Sequence, residues 1–271
     1  MTGLRRWGGY LALTIVFAIA CGLLSWWQWS RRAETVAEID RVEANYDETP
    51  VPLSTLLPEL DSWHESVEWR PVALHGTYLL EDQLLARNRP NDGKPGFEVI
   101  TPLQLEDGTV FAVDRGWLPT GNAQDAPDDV PAPPAGEVDV VARLKQGEPT
   151  LPGRSAPEGQ LATIHLEDVA AGTDAPTYTG AYGLLDSESP AVDDMPVAAV
   201  KPEADEGPHL SYALQWIAFG ILAFIGLFWA FRRERRIAAL PEHEQAAARA
   251  PRARRSDDTD EEDALLDKHL S

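Results

Sequence analysis

Gly207-Pro208-His209-Leu210-Ser211-Tyr212-Ala213-Leu214-Gln215-Trp216 opens a stretch that carries no charge until Arg232-Arg233-Glu234-Arg235-Arg236. At about 1.5 Å per residue, a helix from Leu210 to Phe231 reaches about 33 Å, enough for a hydrocarbon core of about 30 Å. A helix is also the form in which such a backbone satisfies its own hydrogen bonds in lipid. Proline suits the first turn of a helix and not its interior, so Pro208 sets the start. The four arginines mark the far end as cytoplasmic, which places His209 at the opposite membrane surface.

The matching element lies at the other end of the chain. Arg5-Arg6 precede the uncharged run Trp7 to Ser30, and Arg31-Arg32 close it. A cleaved signal has a shorter apolar core and a small-residue cleavage site, whereas this run ends in Trp26-Trp27-Gln28-Trp29. A lipoprotein signal ending at Cys21 is disfavoured by Ala18 and by the apolar residues that follow. Charge on the two flanks of this span nearly balances, so the second span sets the orientation. The expected organisation is a cytoplasmic N-terminus (1–6), a first transmembrane helix (7–30), an extracytoplasmic domain (31–208), a second transmembrane helix (209–231) and a disordered cytoplasmic tail (232–271).

The chain has 271 residues, which leaves about 175 for the middle segment, enough for one core. Ala33 to Pro208 holds 10 Lys+Arg and 34 Asp+Glu, a net −24 against −21 for the whole chain. That sign excludes nucleic acid as its partner. The single cysteine, Cys21, lies in the first span, so the middle domain has no disulfide, thiolate nucleophile or Cys metal site.

Ala33 to about Glu48 reads as a polar continuation of the first helix, and Leu53 to Pro58 as one helical turn. The period then becomes two. Val72, Leu74 and Tyr78 share one face, with His75 and Thr77 on the other. Phe97, Val99, Thr101, Leu103 and Leu105 alternate up to the hairpin signal Asp107-Gly108. Val110-Phe111-Ala112-Val113 is apolar on both faces, and therefore buried. Val138, Val140, Ala142 and Leu144 mark a further strand. Leu161 to Leu166 and Tyr178 to Leu185 are weaker strands around a short helix from Leu166 to Ala171, ended by Gly172. Asn122 to Pro134 and Asp186 to Pro208 read as Pro- and Asp-rich loops. The expected fold is two transmembrane α-helices flanking a mainly antiparallel, barrel- or sandwich-like β domain with minor helix.

No enzyme template is met: no activated nucleophile, no Gly-rich phosphate loop, no helical histidine pair. His64, His75 and His165 read as ordinary surface histidines. His209 differs by its depth. Ala213, Trp216, Gly220 and Ala223 follow it on one face, and small residues there admit a second helix or a flat ligand. Gln215 lies about 9 Å deeper by the helical rise. Gln28 lies similarly near the outer end of the first span, so the two amides are expected to meet each other or a shared polar object. In Asp114-Arg115-Gly116-Trp117, adjacent strand residues point apart, so Asp114 and Arg115 do not neutralise each other, while Arg115 and Trp117 share a face and can stack. Arg115 then either pairs with an internal carboxylate or receives a propionate or a partner's carboxylate.

These residues carry a resemblance. Trp27-Gln28 with Arg31, Arg70-Pro71-Val72 with Gly76-Thr77-Tyr78, Arg87-Asn88-Arg89, Thr101-Pro102-Leu103, Val113 to Pro119 and His209 to Trp216, in this order around two spans, closely resemble the surfeit locus 1 family. The likeness covers roughly residues 10 to 235. Pro208 stands where family members often carry Asn, and the Pro/Asp-rich insertions and charged tail also depart from a minimal member. The resemblance implies a non-enzymatic assembly factor of cytochrome c oxidase in a bacterial plasma membrane, with haem a as its transient cofactor. The implied partners are the oxidase's catalytic subunit and the machinery that makes haem a. His209 takes the place of the family's characteristic histidine and so becomes the metal-ligand candidate. Gln28, Gln215, Trp216 and Arg115 complete the cofactor-binding candidates. The alternative is a cofactor-free chaperone that holds the catalytic subunit through helix contacts.

Overall fold

The computed structural model describes residues 3–122, 125–241 and 243–245. In chain order its elements are α1 (Gly3–Asn45), β1 (Val51–Pro52), α2 (Leu53–Leu56), β2 (Pro71–Tyr78), β3 (Leu84–Ala86), β4 (Gly96–Leu105), β5 (Val110–Pro119), β6 (Glu137–Gln146), β7 (Gln160–Leu161), α3 (Leu166–Ala171), β8 (Ala181–Ser189) and α4 (His209–Ala238). They form two units: residues up to Arg32 together with those from Gly207 onward, and Ala33–Glu206.

In the first unit α1 and α4, both long and apolar enough to cross a membrane, run antiparallel. Trp7 meets Phe231 edge-on at 5.1 Å, Gly220 lies against Cys21, and Gln28 meets His209. The seam is built from small side chains: Cys21 and Ser25 on α1, and Ala213 and Gly220 on α4, are buried. Small residues four apart on α1 and seven apart on α4 allow close backbone approach where lipid supplies no hydrophobic drive between helices. Large apolar side chains, Val16, Leu23, Leu222 and Phe228 among them, point outward. At one end Arg6 pairs with Glu234, and Arg232 and Arg233 lie 5.5 Å from the Phe228 and Trp229 rings. At the other end Trp26, Trp27, Trp29 and Tyr212 are exposed, as a belt at a membrane–water boundary requires. The tail expected to be disordered falls largely on residues 246–271, outside the described residues, while α4 itself runs on to Ala238.

The second unit is a closed barrel. Strands β2, β6, β8, β5 and β4 follow one another, and β2 pairs with β4 to complete the ring. Most pairs are antiparallel; β5–β8, β1–β2 and β3–β7 are parallel. Closure occurs where Gly76 faces Leu105. A Cβ on Gly76 would sit 2.0 Å from the Gln104 carbonyl oxygen, so only glycine permits this approach. Val72, Leu74, Leu103, Phe111, Val113, Val138, Val140, Ala142 and Leu144 fill the interior. The outer face of β4 and β5 is covered as well: Ile100 and Ala112 pack with Leu166 and Val169 of α3. Double coverage explains why Val110 to Val113 is apolar throughout, and why β4, read as alternating, is buried on both faces at its centre. The Asp107-Gly108 hairpin joins these two strands as expected, with Leu105 and Thr109 bonded at 2.8 Å.

Three expectations are corrected. Of the Leu161–Leu166 stretch only Leu161 is strand, in β7, which pairs with the short edge β3. β8 continues through Asp186-Ser187-Glu188-Ser189, read as loop, because β6 pairs with it along this length. Arg115 and Trp117 do not share a face: between the pairs Glu98–Trp117 and Ile100–Asp114, β5 carries two residues, Arg115 and Gly116, opposite Val99. This bulge, with Gly116 at φ +125°, reverses the alternation after Arg115.

Arg115 thereby points into the barrel, where its side chain is wholly enclosed. It donates to Glu188 Oε1 at 3.2 Å and to the Pro131 carbonyl at 2.8 Å; Tyr78 donates to Glu188 Oε2 at 3.0 Å. Removing one partner strands a buried charge, whereas removing both does not. Glu188→Ala is therefore expected to cost about 3–5 kcal/mol. The double variant Arg115→Met/Glu188→Leu should recover most of that loss in denaturant unfolding. A double variant no more stable than Glu188→Ala would show that the pair is not the source of the cost.

Candidate functional site

α4 begins in a turn, Gly207-Pro208, whose Pro208 carbonyl accepts the Tyr212 N–H at 3.1 Å. The next residue, His209, is half-buried at the mouth of the helix pair. Its Nδ1 lies 2.9 Å from Gln28 Oε1. An amide oxygen only accepts, so the ring donates through Nδ1–H, and in the neutral imidazole the lone pair is then on Nε2. A histidine that ligates a metal through one nitrogen is commonly held this way by the other. Gln28 thus fixes both the tautomer and the direction of the ring.

Gln28 and Gln215 are not brought together. At 100° per residue Gln215 is turned about 120° from His209 around the helix, and its carboxamide is exposed. Equal depth in the sequence was the signal used; azimuth, also legible from the spacing, separates them. Trp216 lies on the His209 face, half-buried and edge-on to Phe219 at 5.8 Å. The small-residue face below His209, expected to take a helix or a flat ligand, takes α1. A planar cofactor would therefore be met at the mouth, beside His209, and not along the seam.

Arg115 belongs to the barrel unit, where its guanidinium is enclosed and paired with Glu188. Internal pairing, the first of its two readings, is what the structure shows, and Arg115 leaves the cofactor-binding set. Of the other histidines, His75 pairs with Asp139 at 2.8 Å, and His165 approaches Glu167 and Asp168 at 3.0 and 3.3 Å.

A second polar constellation was not assembled from the sequence. Asp114 points outward from β5, as the alternation required, into a group with Glu98, Glu148 and Arg89. Arg89 lies 2.6 Å from Glu148 and 3.0 Å from Glu98. Asp114 has no basic partner within ion-pair distance among the described residues; its Oδ1 accepts the Gly116 N–H at 2.9 Å. Burial, with the charge of Glu98 adding to it, pushes its pKa up to about 8. Burial likewise raises Glu98. Only Arg87-Asn88-Arg89 and Asp114-Arg115-Gly116-Trp117 were singled out in advance; Glu98 and Glu148, far apart in sequence, gave no local sign.

Fold and site together define a two-span membrane protein whose sequence between the spans forms a closed β barrel, with an oriented histidine at the mouth of the helix pair. The SURF1 family model matches residues 15–221, and the chain belongs to the SURF1 family. An uncharacterized SURF1-like protein of Mycobacterium tuberculosis is 38% identical over 227 residues, covering 81% of this chain and 82% of that one. Surfeit locus protein 1 of Xenopus tropicalis is 24% identical over 245 residues, covering 83% and 76%. The cytochrome oxidase assembly protein SHY1 of Saccharomyces cerevisiae is 28% identical over 119 residues, covering 42% of this chain and 30% of its own.

The raised pKa of Asp114 makes a signed prediction. Its carboxyl stays protonated in the fold up to about pH 8, while the unfolded chain ionises near 4. Stability from this group is present below the unfolded pKa and is lost as pH rises through the folded one. Asp114→Asn, which stays neutral, should therefore melt close to the parent at pH 4. It should melt progressively above the parent between pH 5 and 8. Parallel melting curves across that range would contradict the assignment.

Proposed function

We propose that the protein serves the assembly of cytochrome c oxidase by holding haem a at His209 for insertion into the oxidase's catalytic subunit. The observation that supports this most directly is the Gln28–His209 hydrogen bond. It leaves Nε2 with a lone pair at the mouth of an apolar helix pair, and neutral imidazole is an established axial ligand of haem iron. The name of one relative, a cytochrome oxidase assembly protein, supports the assembly part of this reading. Haem would supply the redox chemistry; this chain's residues orient the ligand and keep the apolar macrocycle near lipid. The catalytic subunit and the haem a synthesis machinery are the proposed partners. The role proposed is that of a chaperone in respiratory-chain biogenesis, with no reaction of its own.

The proposed setting is a bacterial plasma membrane, with both termini cytoplasmic and the barrel extracytoplasmic. Arginines at 232, 233, 235 and 236 support this orientation. A reporter fused after Arg236 should read cytoplasmic and one inserted at Asp193 external; the reverse pattern would overturn it.

The chain purified in detergent from cells that make haem a should carry a haem spectrum. His209→Ala should lose or alter that spectrum while still accumulating in the membrane. Gln28→Leu, which frees the ring without removing it, should weaken retention by roughly 10–100-fold, the range for loss of a ligand's orienting partner. Identical spectra in the parent and His209→Ala would remove the ligand assignment. The cofactor-free chaperone reading would then lead, favoured by the exposed Gln215 carboxamide, a polar group on an apolar span that another helix can satisfy.

A further inference from the structure

The outer wall of the barrel holds a cavity of about 320 Å³ between the β5 bulge and the segment around Val197. Val197 exchanges both backbone hydrogen bonds with Trp117, at 2.8 and 2.9 Å. A Cβ on Gly116 would stand 2.5 Å from the Val197 carbonyl oxygen, so glycine is what lets this segment cross the strand. The volume falls at the lower end of the range for ligand sites, about 300–1,000 Å³.

Asp114 and Tyr182 line the cavity, 3% and 6% exposed. One Asp114 oxygen accepts the Gly116 N–H. The other oxygen and the Tyr182 hydroxyl make no hydrogen bond within the described residues, and both residues line the open cavity. Two polar groups that open into one cavity are placed to meet water or a ligand inside it. Charge says of which sign. Glu98 shares the cavity, Arg89 is divided between Glu98 and Glu148, and Lys145 is held by Glu68 at 2.6 Å. Neither cation is within ion-pair distance of Asp114. A metal ion is not indicated, since the described residues hold no group of three candidate ligands. The walls are aromatic and apolar, Trp117, Trp69 and Leu184, and Trp69 already carries the Lys145 ammonium 4.0 Å from its ring centre.

We propose that this cavity binds an organic cation on a short apolar stem, a guanidinium or primary ammonium, with Asp114 as counter-charge, the Tyr182 oxygen as second acceptor and Trp117 as the stacking wall. The site is separate from the histidine and stands whether or not the chain carries haem. The group comes either from a basic residue of a docking polypeptide or from a free amine. Five groups face the Asp114 carboxyl: Glu98 from β4, Arg89 after β3, Lys145 from β6, Glu148 after β6 and Tyr182 from β8. The carboxyl is protonated at pH 7 in the empty site, so cation binding expels its proton to solvent.

Calorimetry on the full chain in detergent tests this with three probes: N-acetylarginine methylamide, butylguanidinium and neutral N-acetylnorleucine methylamide. Both guanidinium probes should bind saturably, and the norleucine probe at least tenfold more weakly. The heat should vary with buffer ionisation enthalpy, as release of a proton requires. Asp114→Asn, which keeps the Gly116 contact, should lose at least tenfold in affinity for the cations while melting no lower than the parent. Tighter binding of the capped arginine assigns the site to a polypeptide, and equal binding assigns it to free amines. Absence of saturable binding by both cations, or unchanged affinity in Asp114→Asn, overturns the proposal.

Discussion

Barrel closure at Gly76 is the constraint on which the extramembrane unit depends. β2 and β4 meet there with the Gln104 carbonyl in the space of any side chain. Once they meet, the ring has an inside. Phe111, Val113 and Arg115 point into it, and Ala112 and Asp114 point out. The inside takes a buried ion pair because Tyr78, Arg115 and Glu188, from three different strands, converge there and bond through Glu188. The outside takes α3 over half its length and is left with an under-neutralised carboxyl on the other half. One close backbone approach thus separates two charge environments on a single strand.

A different constraint rules the helix pair. In lipid, polar side chains need partners from the same chain or a neighbouring one, and apolar side chains give helices no reason to associate. Cys21, Ser25, Ala213 and Gly220 solve the second problem by shape. Gln28 and His209 solve the first for each other, at the level where the aromatic belt marks the membrane boundary. Gln28 thus holds the histidine through Nδ1, and no hydrogen bond to Nε2 is made among the described residues.

Local and periodic features were legible in the sequence: the two spans, the Asp107-Gly108 hairpin, the doubly apolar strand at Val110 and the opposed directions of Asp114 and Arg115. What escaped was fixed at long range. Glu188 sits in a polar tetrapeptide that resembles a loop, and only β6 alongside and Arg115, 73 residues away, make it a buried strand residue. Gln28 was expected to meet Gln215 or a polar object shared with it, because depth was weighed and azimuth was not; its partner is His209, 181 residues away. Gly116 was read as a routine strand position, yet its backbone moved Trp117 off the Arg115 face.

The order in which the ring is made has a kinetic side. β8 is the last of the five ring strands in sequence, and it lies between β6 and β5. While the chain is being synthesised, β2, β4, β5 and β6 can pair as hairpins and neighbours, but the facing edges of β5 and β6 stay open until Ser189 exists. Over that interval Arg115 has no counter-ion, and an edge rich in valine is free to pair with another chain. Such non-local closure is slow as well, because a long loop must be ordered before any contact rewards it. The nascent barrel is therefore most exposed to misassociation just before completion, and help from another protein would act in that window.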